Sequence, residues 1–263
     1  MNRKFRLLAT TALTTSTALM SGAAVAADAR MPVKARPAAP PPFSWTRCYV
    51  GGNVGGAWAN IDQSVQIPGR GVFSSSGTGS GVTGGVQAGC DWQYTSNWVL
   101  GLEGDVNFLN LSRRHDFGFT VTGEDTAGSQ VTKLRWMTTV RAVLGIAMGP
   151  SLLYGTGGVA IGDVDSSVSA ISSFNGTATL AGSRSETLVG YIAGGGWEYP
   201  FAPGLSAKIE GLFFDLGRVD YPVVTVSGAT NPPSTWSADA KVTGVIVRAG
   251  INLTLGCPSG AAC

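Results

Sequence analysis

The stretch VTGGVQAGCDWQY, residues 82–94, decides the fold. Its apolar side chains fall on every second residue, and the residues between them are small or polar, as in a β-strand with two unlike faces. The apolar face comprises Val82, Val86, Ala88, Cys90, Trp92 and Tyr94, and the other face comprises Thr83, Gly85, Gln87, Gly89, Asp91 and Gln93. One face therefore suits an oily environment, and the other suits a tight polar one.

The same alternation occurs in WVLGLEGDVNF, residues 98–108, and in VTGVIVRAGINLTL, residues 242–255. Such runs predict eight strands, near residues 47–59, 81–94, 98–110, 133–147, 151–161, 187–200, 205–216 and 242–255. Three connections between them are short, and the rest are polar Gly/Ser/Thr/Asp-rich loops at residues 61–80, 111–132, 162–186 and 217–241. This alternation places every long loop at one end, which is typical of outer-membrane barrels with short periplasmic turns.

We expect the first and last strands to pair, because an open sheet edge in lipid leaves backbone groups unsatisfied. The sequence therefore predicts an all-β fold over residues 45–255: an eight-stranded antiparallel up-and-down transmembrane β-barrel with short periplasmic turns and long external loops. An even number of strands puts both termini on the periplasmic side.

Composition separates this membrane barrel from a lipocalin-like soluble barrel, which has the same alternation with an oily inside and a polar outside. Charged residues make up 13% of the chain, and 38 of its 263 residues are glycine. A water-exposed face would carry many Lys and Glu residues, whereas the polar face here is mainly Gly, Thr, Asn and Gln. Aromatic residues predict a girdle at the membrane interface: Trp45, Tyr49, Trp92, Tyr94, Trp98, Trp197, Tyr199 and Phe201.

The segments outside the barrel have distinct compositions. Residues 1–26 are expected to be a signal peptide, since basic residues precede an apolar stretch and the small residues Ala24-Val25-Ala26 offer a processing site. Residues 27–44 are proline-rich and predict a periplasmic tether. Residues 256–263 form a C-terminal tail that contains two cysteines. The export signal places the chain in an oxidising compartment, where disulfides persist.

Eight strands enclose a lumen just wide enough to be filled by side chains, so the fold argues against a wide pore. We expect the charged residues of the inward faces to form a compensated ion network in this lumen. Its acids are Asp91, Glu103, Asp105, Glu198 and Glu210, and its bases are Arg135, Arg141, Lys208 and Arg248. Five acids against four bases is close to balance.

The four cysteines allow three disulfide pairings, between which sequence alone does not choose. The preferred pairing joins Cys48 to Cys90 and Cys257 to Cys263, since the members of each pair lie on or near neighbouring segments at the periplasmic end. Free buried thiols are the alternative. Their spacing does not suit a zinc site, since there is no C-x-x-C and the single histidine is distant.

Few residues of the sequence support an enzymatic function. There is no G-x-S-x-G nucleophile elbow, and the lone histidine, His115, lies in a predicted loop within Arg113-Arg114-His115-Asp116. No catalytic, cofactor-binding or metal-binding residues are assigned, and a formal net charge of +2 is too small to argue for a nucleic-acid partner.

Several segments together resemble the small outer-membrane β-barrel proteins of alphaproteobacteria, grouped as the porin or OmpA-like (opacity-like) family. They are FSWTRCYVGGNVGGAW, WVLGLEGDV, TVRAVLGIAMG, LLYGTGGVAIG, GLSAKIEGLFFDLG and VRAGINLTL, which cover nearly all of residues 43–255. Family members usually end their last strand on an aromatic residue that the barrel-assembly machinery recognises. This chain departs from that pattern, because it continues past Leu255 into GCPSGAAC.

The resemblance implies location in the cell outer membrane and a structural or surface role in the envelope, with a narrow or plugged lumen. The expected partners are outer-membrane lipids, lipopolysaccharide, the barrel-assembly machinery, and host or ligand molecules that contact the external loops. The alternative is a narrow porin-type channel or a surface protein that binds haem or another ligand. Because some family members bind haem, His115 is the residue that this alternative would use, although a solvated loop histidine is commoner.

Overall fold

The computed structural model describes residues 43–67, 71–121, 124–173, 177–228 and 236–256. Eight antiparallel strands form one closed barrel in chain order: β1 (Arg47–Ile67), β2 (Gly71–Gln93), β3 (Trp98–Val121), β4 (Glu124–Met148), β5 (Ser151–Ser172), β6 (Ala178–Ala202), β7 (Leu205–Gly228) and β8 (Trp236–Gly256). β1 closes the ring by pairing with β8 along almost its whole length. The predicted fold class is confirmed. Over the described ranges, no helix is long and apolar enough to cross a bilayer.

Short connections join the strands at one end of the barrel. β2 and β3 are linked by residues 94–97, β4 and β5 by Gly149-Pro150, and β6 and β7 by Pro203-Gly204. Gly149 and Gly204 have positive φ angles of 62° and 72°, a backbone conformation that glycine adopts without steric cost. We call this end of the barrel, where β1 also starts and β8 ends, the turn half. The opposite end, where β1 joins β2, β3 joins β4, β5 joins β6 and β7 joins β8, is the hairpin half.

The strands are much longer than the sequence predicted. They contain 21 to 25 residues each, whereas about 9–11 residues are enough to cross a bilayer as a tilted strand. The described parts of the segments predicted as loops, within residues 61–80, 111–132, 162–186 and 217–241, continue the strands as long hairpins, apart from Ser173 and Thr177 beside the gap at 174–176. The predicted long loops were therefore wrong in these stretches, because a polar Gly/Ser/Thr-rich composition also suits a strand that stands in water.

The polarity of the two strand faces reverses along the barrel. In β1 the outward side chains are apolar from Val50 to Trp58, and then become polar at Asn60, Asp62 and Ser64. The inward positions change in the opposite sense, from Arg47 and Asn53 to the fully buried Ile61. The turn half thus has the pattern of a membrane barrel and the hairpin half that of a soluble one.

Apolar side chains form two clusters in the interior of the hairpin half, and the buried polar residues Gln63, Thr132 and Ser166 lie between these clusters along the strands. One buried cluster brings together residues from every strand except β2, among them Ile61, Leu111, Leu134, Met137, Val164, Leu216 and Val242. A second cluster, farther from the turns, includes Val65, Val168, Leu180, Tyr221 and Val223. The hairpin half is therefore held together by an ordinary hydrophobic core, which the exposed polar face shields from water.

A β-bulge changes which face of β4 points inward. The pairing of β4 with β5 shifts between Leu134 and Met137, so that these two buried residues are three positions apart instead of two. On the turn side of the bulge the odd-numbered residues point inward, and on the hairpin side the even-numbered ones do. An extra residue in one strand reverses the alternation beyond it.

Candidate functional site

The lumen of the turn half contains a network of buried charges, with Arg141 of β4 near its centre. The Arg141 side chain has 0% exposure and contacts three acids. Its Nη2 atom donates to Glu103 and, at 2.8 Å, to Asp105 Oδ2, and its Nη1 atom lies 3.4 Å from Glu210 Oε1. One guanidinium group thus links β4 to β3 and to β7 on the other side of the lumen.

Two further cations complete the central layer. Arg248 of β8 donates from Nε to Glu210 Oε2 at 2.7 Å and from Nη2 to Asp105 Oδ2 at 2.9 Å. Lys208 of β7 places its Nζ atom 2.6 Å from Glu103 Oε2. Each of the three central acids therefore faces at least two cations, which offsets the cost of holding the charges away from water.

Two tyrosines anchor the carboxylates of this layer. The Tyr49 hydroxyl donates to Glu103 Oε2 at 2.6 Å, and the Tyr154 hydroxyl donates to Glu210 Oε1 at 2.8 Å. Both rings are buried. Tyr49 had been predicted in the interfacial girdle, and that prediction was wrong, since Tyr49 shares the inward face of β1 with Asn53.

A second charged layer lies closer to the turns. Arg47 of β1 pairs with Glu198 of β6, and its Nε atom lies 3.7 Å from Asp91 Oδ2 of β2. Glu198 also accepts hydrogen bonds from Ser206 and, at 2.9 Å, from Asn252 Nδ2. With this layer, all eight strands contribute a polar side chain to the network.

Aromatic residues close the mouth of the barrel below the charges. Trp45 is fully buried, packs edge-to-face on Phe43 and lies 4.5 Å from the guanidinium carbon of Arg47. Its backbone N–H donates to Gln93 Oε1 at 2.9 Å. Trp45 had also been predicted in the girdle, and this too was wrong: the chain ahead of β1 folds into the mouth. The other girdle residues are exposed as predicted: Trp92, Tyr94, Trp98, Trp197, Tyr199 and Phe201.

The structure brings together eight of the nine residues assigned to the network and separates the ninth. Arg135 lies outside the barrel, with its side chain 64% exposed and its Nη2 atom 2.6 Å from Asp165 Oδ2. Its inward assignment was wrong because the bulge at Leu134–Met137 reverses the alternation that Arg141 follows. Arg47 takes the place of Arg135 in the lumen, so five acids still face four bases there.

Sequence reasoning missed Arg47, Tyr49 and Tyr154 as parts of the network. The signal was present for the first two, since Arg47, Tyr49 and Asn53 share one parity in β1. The apolar residues Val50, Val54 and Trp58 occupy the opposite parity, which would have placed Arg47 and Tyr49 in the lumen. For Tyr154, a tyrosine near a short turn resembles a girdle residue, and only its hydrogen bond to Glu210 distinguishes it.

Cys48 and Cys90 form a disulfide between β1 and β2 at the turn end, where the two residues are direct cross-strand partners. It joins the first strand to its neighbour close to the mouth. Cys257 and Cys263 lie outside the described residues, as do residues 1–42, which contain the predicted signal peptide and nearly all of the predicted tether.

His115 lies in β3 and not in a loop. Its side chain is half-buried, its Nδ1 atom is 3.4 Å from Ser75 Oγ, and its ring stacks on Phe117 with 6.4 Å between centroids. Over the residues that the structure describes, no group of three or more His, Cys, Asp or Glu side chains is arranged to hold a metal ion. The charged groups of the lumen are engaged with one another, so the arrangement suits a structural plug.

Comparison with known proteins identifies relatives of this barrel. The family model described as "Outer membrane protein beta-barrel domain" matches residues 15–254. The 31 kDa outer-membrane immunogenic protein of Brucella melitensis biotype 1 is 34% identical over 219 residues, which cover 76% of this chain and 84% of that protein. The 22 kDa outer membrane protein of Rhizobium leguminosarum bv. viciae is 29% identical over 172 residues, which cover 63% and 68%.

Solved structures with similar folds are more distant. The outer membrane protease OmpT from Escherichia coli has 11% identity and a TM-score of 0.45, covering 81% of this chain and 98% of that one. The outer membrane protein OprG from Pseudomonas aeruginosa has 13% identity and a TM-score of 0.36, covering 82% and 99%.

Proposed function

Because the chain belongs to the outer membrane protein β-barrel family and lies in the outer membrane, we propose that it is a non-enzymatic structural and surface protein with a plugged lumen. The observation that carries the proposal is the ion network, in which Arg141 bridges Glu103, Asp105 and Glu210 across the barrel. A solute crossing the lumen would have to break these contacts, and each broken buried pair costs about 3–5 kcal/mol.

Two other parts of the lumen support the plug. Trp45 and Phe43 fill the mouth at the turn end, and the apolar cluster around Leu111 and Leu134 fills the hairpin half. Ions that passed the charged layer would then meet this packed apolar cluster. This arrangement favours a plugged barrel over the alternative of a narrow porin-type channel.

Conductance measurements in planar lipid bilayers test the plug. We expect the folded protein to give no discrete current steps in concentrated KCl, under conditions in which a large general porin conducts. The variant Trp45→Ala, which opens the mouth and leaves the charged layer intact, should also be silent. Regular single-channel steps from the wild-type protein would overturn the plug in favour of a channel.

The proposed surface role places the hairpin half outside the cell, where it is available to lipopolysaccharide and to host or ligand molecules. Its polar outer face supports this, as does the exposed apolar side-chain band of the turn half, which suits outer-membrane lipids. The hairpin half would extend well beyond the bilayer, because strands of 21 to 25 residues greatly exceed the bilayer requirement.

Cysteine labelling of intact cells tests this orientation. In a background that carries Cys257→Ser and Cys263→Ser, Ser167→Cys lies on the exposed face of the hairpin half and Ser96→Cys lies in a short turn. A membrane-impermeant maleimide should label the first variant in intact cells and the second only after the envelope is opened. The reverse pattern would show that the hairpins face the periplasm.

A further inference from the structure

The outer surface carries a second ring of aromatic side chains, where the turn half adjoins the hairpin half. Its exposed members include Trp58, Phe108, Tyr191 and Phe213. In β3, Phe108 of this ring follows Trp98 of the girdle by ten positions, and about 9–11 residues cross a bilayer as a tilted strand. The surface between the two rings is therefore one bilayer tall, and side chains just beyond Phe108 lie at the level of the lipid headgroups.

Three basic residues face outward just beyond the second ring, on β3 and β4. Lys133 lies directly opposite Ser112 in the β3–β4 register, and Arg114 follows Ser112 by two residues. Lys133 and Arg114 are therefore diagonal neighbours on one face, about 7–8 Å apart and within reach of each other's long side chains. Arg135 lies two residues from Lys133 toward the second ring. We call these three exposed residues, Arg114, Lys133 and Arg135, the cation patch.

The charges of the cation patch are available to an external anion. Among the residues that the structure describes, Lys133 has no ion pair with an acid. Arg114 is paired with Asp116 of its own strand, and Arg135 with Asp165 of β5, but both arginine side chains are about two-thirds exposed. Exposed pairs of this kind are weak. A phosphate group can replace them, because it carries more charge and bonds to arginine through two oxygens.

The neighbouring strands favour an anion on the β3 side of Lys133. On β5, the outward acids Asp163 and Asp165 border the cation patch and would repel it. On the other side, every outward residue within 74–80 of β2 is serine or threonine, and this stretch packs directly against β3. An anion between Arg114 and Lys133 therefore meets two cations and neighbouring hydroxyl groups.

A groove crosses the lipid-facing surface on the membrane side of the cation patch. It has a volume of about 820 Å³ and runs over five neighbouring strands, from β8 across β1, β2 and β3 to β4. The small residues Gly52, Ala88 and Gly104 leave it open, since a β-carbon on either glycine would meet no atom closer than 3.6 Å. Its exposed apolar side chains include Val86, Val106, Val140, Ile251 and Leu253. A methylene chain in such a groove makes more van der Waals contacts than on a flat wall.

The groove and the cation patch lie on the same face of the barrel. The groove reaches Thr138 on β4, and Arg135 and Lys133 lie three and five residues from Thr138 toward the hairpin half. At about 3.3 Å per residue, Lys133 is about 15 Å along the strand from the groove. A phosphorylated glycolipid of the outer leaflet has the same order, with its phosphates at the headgroup level and its acyl chains in the hydrocarbon.

We propose that this face binds one molecule of lipid A, the phosphorylated glycolipid part of lipopolysaccharide, with a phosphate on Arg114 and Lys133 and an acyl chain in the groove. The inference rests on the proposed function, in which the hairpin half faces outside, and assigns a site to one of its partners. Charge complementarity favours this face, because the first outward charge beyond the second ring is an acid on three other strands: Asp62 of β1, Asp163 of β5 and Asp215 of β7.

Native mass spectrometry of the folded full-length protein, titrated with diphosphoryl lipid A, tests the site. The detergent is tetraethylene glycol monooctyl ether, which is uncharged and carries no phosphate that could compete. We expect one molecule of lipid A to bind more tightly than the same lipid without its phosphates, and more tightly than phosphatidylglycerol. Lys133→Gln should weaken the binding of lipid A about fivefold, as expected for the loss of one cation beside an anionic headgroup.

A second variant and two matched controls make the result specific. Ala88→Phe fills the groove without touching a charge, and should also weaken binding. Arg218→Gln removes an exposed arginine that is paired with Asp239, and Val159→Phe enlarges an exposed side chain of β5; both should bind as the wild type does. Unchanged affinity in Lys133→Gln or in Ala88→Phe overturns the proposal, as does equal affinity for lipid A and phosphatidylglycerol. Because the protein is purified, this result is independent of the maleimide labelling that tests the orientation.

Discussion

Lys208 Nζ lies 2.6 Å from Glu103 Oε2, and this ion pair joins β7 to β3, which stand opposite each other in the ring of eight strands. Both side chains are buried. The pair therefore links opposite walls of the barrel across the lumen. An ion pair between neighbouring strands would only add to the backbone hydrogen bonds that already join them.

Removal of one partner of this ion pair should destabilise the barrel. Lys208→Met leaves Glu103 with fewer cations in a site that water does not reach, at a cost of about 3–5 kcal/mol in the free energy of unfolding. Urea titration of the protein in lipid vesicles measures the change. The double variant Lys208→Met/Glu103→Gln should lose less than the sum of the two single variants, and simple additivity would contradict a direct coupling.

The two arginines of β4 should respond very differently to truncation. Arg141→Ala removes a fully buried group with three acidic partners and should cost about 3–5 kcal/mol. Arg135→Ala removes an exposed partner of Asp165 and should cost at most about 1 kcal/mol. Heat-modifiable gel migration compares the two variants, and equal losses would argue against the bulge that separates them.

Apolar residues inside the hairpin half should contribute more to stability than apolar residues on the lipid-facing surface of the turn half. Leu134→Ala leaves a cavity in the buried cluster and should cost about 2–5 kcal/mol. Leu102→Ala truncates a side chain on the outer face of the turn half, which is 57% exposed, and should cost clearly less. The unfolding midpoint in urea reports both, and a harmless Leu134→Ala would indicate that the hairpin half lacks a packed core.

Loss of the Cys48–Cys90 disulfide should lower stability, because it closes a loop with a sequence separation of 42 residues. For such a loop the expected loss is about 2–4 kcal/mol. Thermal unfolding with and without a reducing agent measures it. In a background with Cys257→Ser and Cys263→Ser, the further double variant Cys48→Ser/Cys90→Ser should no longer respond to the reductant, and a persistent response would point to another cause.

Much of the turn half could be predicted from residues alone. Strict alternation over residues 82–94 and 98–108 determined the strands, the faces that meet lipid and the inward positions of Asp91, Glu103 and Asp105. The reason is that side chains alternate between the two faces of a strand. A run with one oily face therefore shows which residues meet lipid and which point into the lumen. The closure of the sheet followed from the cost of unpaired backbone in lipid.

The hairpin half was harder, because its environment changes along each strand. Polar stretches such as residues 74–80 resemble loops in composition, and only their pairing with β1 shows that they are strands. At the same level of the barrel the inward residues of β1 turn apolar, at Ile61 and Val65, so that a single strand follows both the membrane and the soluble pattern. Local composition cannot report where a strand leaves the bilayer.

The sequence by itself determined the class of fold, the lipid-facing surface and the near balance of buried charge, since each follows from alternation and the cost of burial. Only the tertiary structure decided which charges meet. The bulge in β4 sends Arg135 outward, and the closure of the ring brings Lys208 to Glu103 and Arg47 to Glu198. These depend on register and curvature, which are set by contacts between strands distant in the chain.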